Sequence, residues 1–135
     1  KKDFRVYVLL GDGEVQEGNI WEAAMACGHF ACSNLCAILD FNGCQIDGRC
    51  QDIMGLEPLV AKWQAFGWQV IEINGHDMQQ ILAAYDQAKT IKNKPSIIIA
   101  RTVKGRGVSF MEGVVGFHGR APTQEEARKA LEELA

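Results

Sequence analysis

Four short apolar runs limit the fold of this chain more than any other feature. They are "RVYVLL" (5–10), "NLCAIL" (34–39), "WQVIEI" (68–73) and "SIIIARTV" (96–103). Each is close to continuous in Val, Ile and Leu rather than alternating, the pattern of strands covered on both faces, as in a parallel sheet. Helical patterns lie between them. Residues 16–30 carry Ile20, Ala23, Ala24 and Cys27 on one stripe. A helix over 57–66 has Pro58 suited to its first turn. "DMQQILAAYDQAK" (77–89) opens with Asp77 and Gln80 spaced as a capping box, so Asp77 reads as a cap rather than a ligand. A last helix, "TQEEARKALEEL" (123–134), opens on Thr123 with early acids. Strand–helix alternation of this length predicts an α/β fold: a single domain over 1–135 with a doubly wound, mainly parallel sheet and helices on both faces.

In such sheets ligands bind beyond the carboxyl ends of the strands. Loops 11–18, 40–51 and 104–119 follow strand ends and are expected to share one rim. The first begins "GDGEVQEGNIWEAA" (11–24). Gly11 and Gly13 allow unusual backbone angles and close approach of a ligand, and the helix start behind them suits an anion. Asp12 between them would repel a phosphate unless a cation stood there too. Mg²⁺, which takes oxygen ligands and bridges carboxylates to phosphate oxygens, reconciles the two. The second loop offers the Asn42 amide oxygen, and the Asn42-Gly43 turn can aim the Cys44 carbonyl inward. Twenty-eight residues separate Gly13 from Asn42, the length of one crossover helix plus a strand, which puts Asp12 and Asn42 on neighbouring strand ends. Alone, G-D-G reads as an acidic turn; the spacing to Asn42 gives it specificity. "DFNGCQIDG" places its glycine too early for an EF-hand.

Composition removes other functions. With 47% hydrophobic residues over 135 positions the chain can bury a core. Fourteen basic against 17 acidic residues, net −3, leave no concentrated positive surface for nucleic acid or an anionic membrane. The longest apolar stretch, "MACGHFACSNLCAIL", is broken by His29, Ser33 and Asn34, so it spans no membrane. "KKDFRVYVLLGDG" lacks a signal-peptide cleavage site. Entry into a strand directly after Lys1 is expected of a segment from a longer protein. The five cysteines (Cys27, Cys32, Cys36, Cys44, Cys50) are odd in number and form no C-x-x-C, so neither a zinc ribbon nor a redox dithiol is signalled. Free thiols in a reducing cytoplasm, with Cys27 and Cys36 buried, are expected; an iron–sulfur site is the alternative.

"GDGEVQEG…LDFNG" resembles the thiamine-diphosphate motif: G-D-G, a gap of just under thirty residues, then Asn. With "NLCAILDFNGCQIDG", "GWQVIEINGHD", "TVKGRGVSFMEG" and "FHGRAP", nearly the whole chain resembles a transketolase, in particular the N-terminal subunit of split bacterial or archaeal types. The resemblance implies a thiamine-diphosphate-binding fold lacking its N-terminal part. It implies transfer of a two-carbon ketol unit between sugar phosphates, with thiamine diphosphate and Mg²⁺ (or Ca²⁺) as cofactors. Residue by residue, it makes Asp12, the Asn42 side chain and the Cys44 carbonyl metal ligands. Gly11 and Gly13 would lie against the diphosphate and Ile46 near the thiazolium ring. Glu17 matches an interface acid that communicates with the glutamate activating the aminopyrimidine. His118, in "FHG", matches a histidine near the diphosphate and reacting carbon, implicated in substrate binding and proton transfer.

Plainer readings stand beside these. Glu17 suits a helix N-terminus as a solvated acid. His118 has a glycine-rich setting beyond a strand end, which favours function over a surface role. Lys104 and Arg106 could attract a sugar phosphate or simply face solvent. Trp21, Trp63 and Trp68 read as core or interface, His29 and His76 lack context, and Glu14 has no assigned role. The alternatives are a 1-deoxyxylulose-5-phosphate synthase, a non-catalytic fragment, or one subunit of a 2-oxoacid dehydrogenase; "QIDG" and "TVKGRG" favour transketolase over the dehydrogenase. In the family, the activating glutamate and the pyrimidine pocket belong to a C-terminal domain or subunit, and further diphosphate contacts lie upstream of the G-D-G strand. The expectation is therefore a cytoplasmic dimer or heterotetramer with that C-terminal partner, this chain alone being inactive.

Overall fold

The run "SIIIA" is buried from Ser96 to Ala100 because its strand lies inside the sheet. Consecutive β-branched side chains favour extended backbone and point alternately to opposite faces, so Ile97 and Ile99 serve one layer and Ile98 the other. The structure, a computed structural model, describes residues 3–135. Its elements are β1 (Val6–Gly11), α1 (Gly18–His29), β2 (Leu35–Phe41), β3 (Cys44–Gln45), β4 (Gly48–Arg49), α2 (Cys50–Ile53), α3 (Leu59–Ala65), β5 (Gln69–Asn74), α4 (Met78–Thr90), β6 (Ser96–Arg101) and α5 (Gln124–Glu133). The main sheet has the order β1-β2-β6-β5, every pair parallel.

From β2 the chain skips one place to β5 through α3, then returns to β6 through α4. Right-handed crossovers then require α1 and α3 on one face and α4 on the other. Packing agrees. Ala37, Leu39, Ile97 and Ile99 meet Ala24, Leu59 and Trp63 in one core; Cys36, Ile71 and Ile98 meet Ala84 and Ala88 in the second. Each large side chain withdrawn this way contributes about 1.5–3 kcal/mol. Trp63 and Trp68 are core, and Trp21 packs partly buried against them, in keeping with the core or interface reading. Trp63 lies 5.3 Å from Trp21 and 4.9 Å from Trp68, between ring centroids.

Several boundaries differ from the sequence expectation. β1 is apolar yet mostly exposed, and Leu9 stands 70% open. It occupies the sheet edge, and α4 packs over β5 and β6 at the far side of the same face. Pro58 is the residue before α3 rather than in its first turn. Asp77 does cap α4, accepting from the Gln79 and Gln80 N–H groups, but no reciprocal box forms: the Gln80 amide accepts from Asn74 N instead. The full capping box belongs to α5, between Thr123 and Glu126. Cys36 is buried, whereas Cys27 is half-buried. Loop 40–51 contains the β3–β4 hairpin and the start of α2, which runs on to Ile53. Among the described residues no helix is long and apolar enough to cross a membrane.

Candidate functional site

Register brings the first two loops together. Gly11 on β1 lies opposite Asp40 on β2, so the next residues of both strands leave the sheet side by side. Asp12 turns inward and is 1% exposed. Its Oδ1 accepts the Asn42 N–H at 3.2 Å, and its Oδ2 accepts the Gly43 N–H in a short hydrogen bond. The Asn42 side-chain oxygen in turn accepts the Cys44 N–H at 3.0 Å. Gly43 takes φ +75°, the left-handed region that glycine enters without a Cβ penalty. Its carbonyl accepts from Cys50 N at 2.9 Å, fastening the hairpin to α2.

Glu14, without a role in the sequence reading, acquires one: its Oε2 accepts the Gly11 N–H at 3.2 Å across the turn. Gly13 eases a close approach, since a Cβ there would stand a tight 3.2 Å from that of Gln45. Val15, fully buried, pins the single 3-10 turn of Glu14–Gln16 to the core. Gln16 ties it to α2 by donating to the Met54 carbonyl at 2.9 Å. On the β6 side, Thr102 donates to Asp40 in a short hydrogen bond, and Val103 N donates to His76 Nε2 at 2.7 Å. His76 therefore anchors the end of β6, a job its sequence context did not announce.

The three loops enclose one cleft of about 590 Å³. It is lined by Gly11, Asp12, Gly13, Glu17, Asn42, Cys44, Ile46 and His118, which are all the residues singled out from the sequence as ligands or catalytic groups. Glu17, Ile46 and His118 stand exposed at its rim, with Ile46 76% open. Asp40, Gln45, Asp47 and Lys104 also line it. The Asp47-Gly48 turn signal could have pointed to the hairpin tip; nothing local marks Gln45. Arg106 is elsewhere, paired with Glu112 at 3.1 Å.

Charge in this cleft is unbalanced. Asp12 forms no ion pair among the described residues. Burial pushes its carboxyl up from the ordinary value, opposed by the Asn42 and Gly43 N–H groups and reinforced by Asp40. Burial, and then the Asp12 carboxylate next to it, push the Cys50 thiol up to about 11. A buried anion with two donors and no cation is costly, and a hard divalent ion would relieve it. No group of three or more His, Cys, Asp or Glu side chains is placed to hold a metal among the described residues. A cation here would need the Asn42 amide and a main-chain carbonyl as well, an all-oxygen set suited to Mg²⁺ or Ca²⁺ and not to zinc.

The family model "Transketolase, thiamine diphosphate binding domain" matches residues 2–135. The chain belongs to the transketolase family. Its similarity runs to an apulose-4-phosphate transketolase subunit of Phocaeicola vulgatus, 43% identical over 135 residues, covering 100% of this chain and 48% of that protein. The 6-deoxy-6-sulfo-D-fructose transketolase subunit SqwG of a Clostridium species is 47% identical over 129 residues, covering 96% of the chain and 47% of the relative. The crystal structure of Campylobacter jejuni transketolase superimposes with a TM-score of 0.91 at 36% identity, over 97% of this chain and 20% of that one. The chain thus spans about half the length of these two curated relatives. The α/β transketolase fold expected from "GDGEVQEG…LDFNG" is the fold observed.

Proposed function

We propose that this chain forms the Mg²⁺–diphosphate clamp of a transketolase-type enzyme that moves a two-carbon ketol unit between sugar phosphates. The observation that carries this reading is the Asp12–Asn42 turn: a buried carboxylate with no ion-pair partner among the described residues, bound to the main chain beside an amide oxygen, at the carboxyl ends of two parallel strands. Asp12, the Asn42 side chain and the Cys44 carbonyl would hold the ion. Gly11, with open space where a side chain would stand, and Gly13 would face the diphosphate. Bound thiamine diphosphate supplies the nucleophilic carbon that carries the transferred unit.

The chain's own residues then divide the remaining work. Asp12 and the N–H groups of Asn42 and Gly43 keep the donor oxygens in one rigid turn, so little reorganisation accompanies binding. Ile46, an exposed apolar side chain at the tip of the β3–β4 hairpin, gives the ring an apolar wall. His118, exposed at the rim, serves substrate binding and proton transfer, the work an imidazole suits best. Glu17 makes no side-chain cap contact on α1 and faces outward; it meets an acid of a partner. That partner is a C-terminal transketolase subunit, in a dimer or heterotetramer, in keeping with relatives that are named as subunits, each about twice this length. Residues 1–135, the diphosphate- and Mg²⁺-binding portion, act as one unit in a cytoplasmic assembly and are inactive without the partner.

The test is reconstitution. The chain, joined to its upstream segment, is mixed with candidate C-terminal subunits, thiamine diphosphate and Mg²⁺, and assayed for ketol transfer with a panel of ketose phosphates and aldose acceptors. Turnover that requires both polypeptides supports the reading. Cofactor-loaded assemblies with no transfer from any donor would contradict it.

A further inference from the structure

Helix α1 closes in a Schellman motif. Phe30 is the C-cap and Ala31 follows in the left-handed region at φ 51°. Ala31 N donates to Gly28 O at 3.1 Å, and Cys32 N donates to Cys27 O at 3.0 Å. This motif brings the second residue past the cap against the residue three positions before it; here both are cysteines. With that bond at 3.0 Å, covalent geometry limits the two α-carbons to a separation of roughly 7 Å. The bend at the donor nitrogen shortens it further, into the disulfide range of roughly 4.4–6.8 Å.

Both thiols are free and half-buried, whereas Cys36, Cys44 and Cys50 are buried. The connection is held on its far side too: Ser33 N donates to Ala31 O at 2.7 Å and Leu35 N to Cys32 O at 3.0 Å. The two thiols are therefore presented together by main-chain bonds and do not meet by chance.

We propose that Cys27 and Cys32 form a dithiol that closes to an intramolecular disulfide by exchange with a small soluble disulfide of the glutathione class. The Cys32 thiolate attacks one sulfur of the small disulfide, whose S–S bond breaks, releasing one small thiol and leaving a mixed disulfide on Cys32. Cys27 loses its proton to solvent and attacks Cys32 Sγ, releasing the second small thiol. The protein dithiol gives up two electrons and two protons; the small disulfide takes them. Burial, and then the neighbouring Cys32 thiol, push the Cys27 thiol up, so Cys32 attacks first and Cys27 resolves. The bridge would sit at the opposite end of α1 from Glu17 and the cleft, on a Cys-x₄-Cys spacing that no sequence motif flags.

The reduced chain is incubated with oxidised glutathione, quenched, alkylated and cut with chymotrypsin after Phe30, which lies between the two cysteines and is 74% exposed. The proposal expects the peptides flanking Phe30 to remain joined until reduced, with two of the five thiols lost to alkylation. Cys27→Ser should stop at a glutathione adduct on Cys32, and Cys32→Ser should leave Cys27 unmodified. A lasting adduct on Cys32 in the unaltered chain, a bridge between other cysteines, or five thiols still open to alkylation would overturn it.

Discussion

Asp12 at the end of β1 and Asn42 at the end of β2 are joined across thirty positions by a 3.2 Å hydrogen bond from the Asn42 N–H to the Asp12 carboxylate. A second N–H, from Gly43, occupies the other carboxylate oxygen. An ionised carboxylate offers about four lone-pair sites, so two remain. The same side chain can therefore lock the turn and still meet a cation.

The indole nitrogens of the buried tryptophans are not equivalent. Trp68 donates to the Ala24 carbonyl at 2.8 Å, while the Trp63 Nε1 is buried without a partner among the described residues. Trp68→Phe loses this extra bond to a carbonyl that otherwise serves only the α1 ladder, and loses packing as well, so it should cost about 2–4 kcal/mol. Trp63→Phe loses packing but also removes an unsatisfied donor worth about 1–3 kcal/mol, so it should come out near neutral. Urea midpoints of the two variants check this; equal losses would refute the difference.

Gly28 lets α1 rest on the end of α3. A Cβ there would stand 1.8 Å from the Phe66 carbonyl oxygen, and main chain cannot step aside as a side chain can. Gly28→Ala should destabilise by roughly 3 kcal/mol, at the upper end of overpacking costs, despite the better helix propensity of alanine. A thermal melt within a few degrees of the unaltered chain would show that α1 is freer to shift than this contact implies.

The alternation of parallel strands and helices was legible because β2, β5 and β6 supply near-continuous apolar runs, and the Asp12–Asn42 pairing because a crossover has a characteristic length. The exposure of β1 was not: "RVYVLL" looks like an interior strand, and edge position is decided by topology. Strands of two residues and a helix of four, as in 44–53, carry no period to detect. Glu14 and His76 were missed for another reason. Each bonds a main-chain N–H whose position depends on turn geometry, and residue type alone does not reveal it.

Helix α5 has no buried residues; its first turn is held by its capping box and its far end by Glu133, which accepts from the Ser109 N–H and hydroxyl. The Arg120 guanidinium and then the Thr123 N–H pull the Glu126 carboxyl down to about 2, from an ordinary 4.5. A depressed folded value means the stabilisation is present above the ordinary value and is lost as pH falls toward about 2. Amide protection in the first turn of α5 should drop across that window in the native chain and lose its pH dependence in Glu126→Gln. Parallel curves for both would remove this pair as the cause.

Glu17 is exposed and bonds to nothing through its side chain in α1, so Glu17→Gln should leave stability within about 0.5 kcal/mol. If it meets a partner's acid, the reconstituted enzyme should lose turnover by roughly tenfold to a hundredfold, the scale of one charged hydrogen bond. Unchanged turnover would return Glu17 to a solvated acid at the N-cap of α1.

Calorimetric titration of thiamine diphosphate into the assembled enzyme, with Mg²⁺ and with EDTA, decides whether Asp12 holds the cation through which a diphosphate binds. The unaltered protein should bind with Mg²⁺ and lose that binding in EDTA. Asp12→Asn, shown folded by its melt, should bind weakly and respond little to Mg²⁺. An Asp12→Asn titration that keeps the full Mg²⁺ dependence would contradict the assignment.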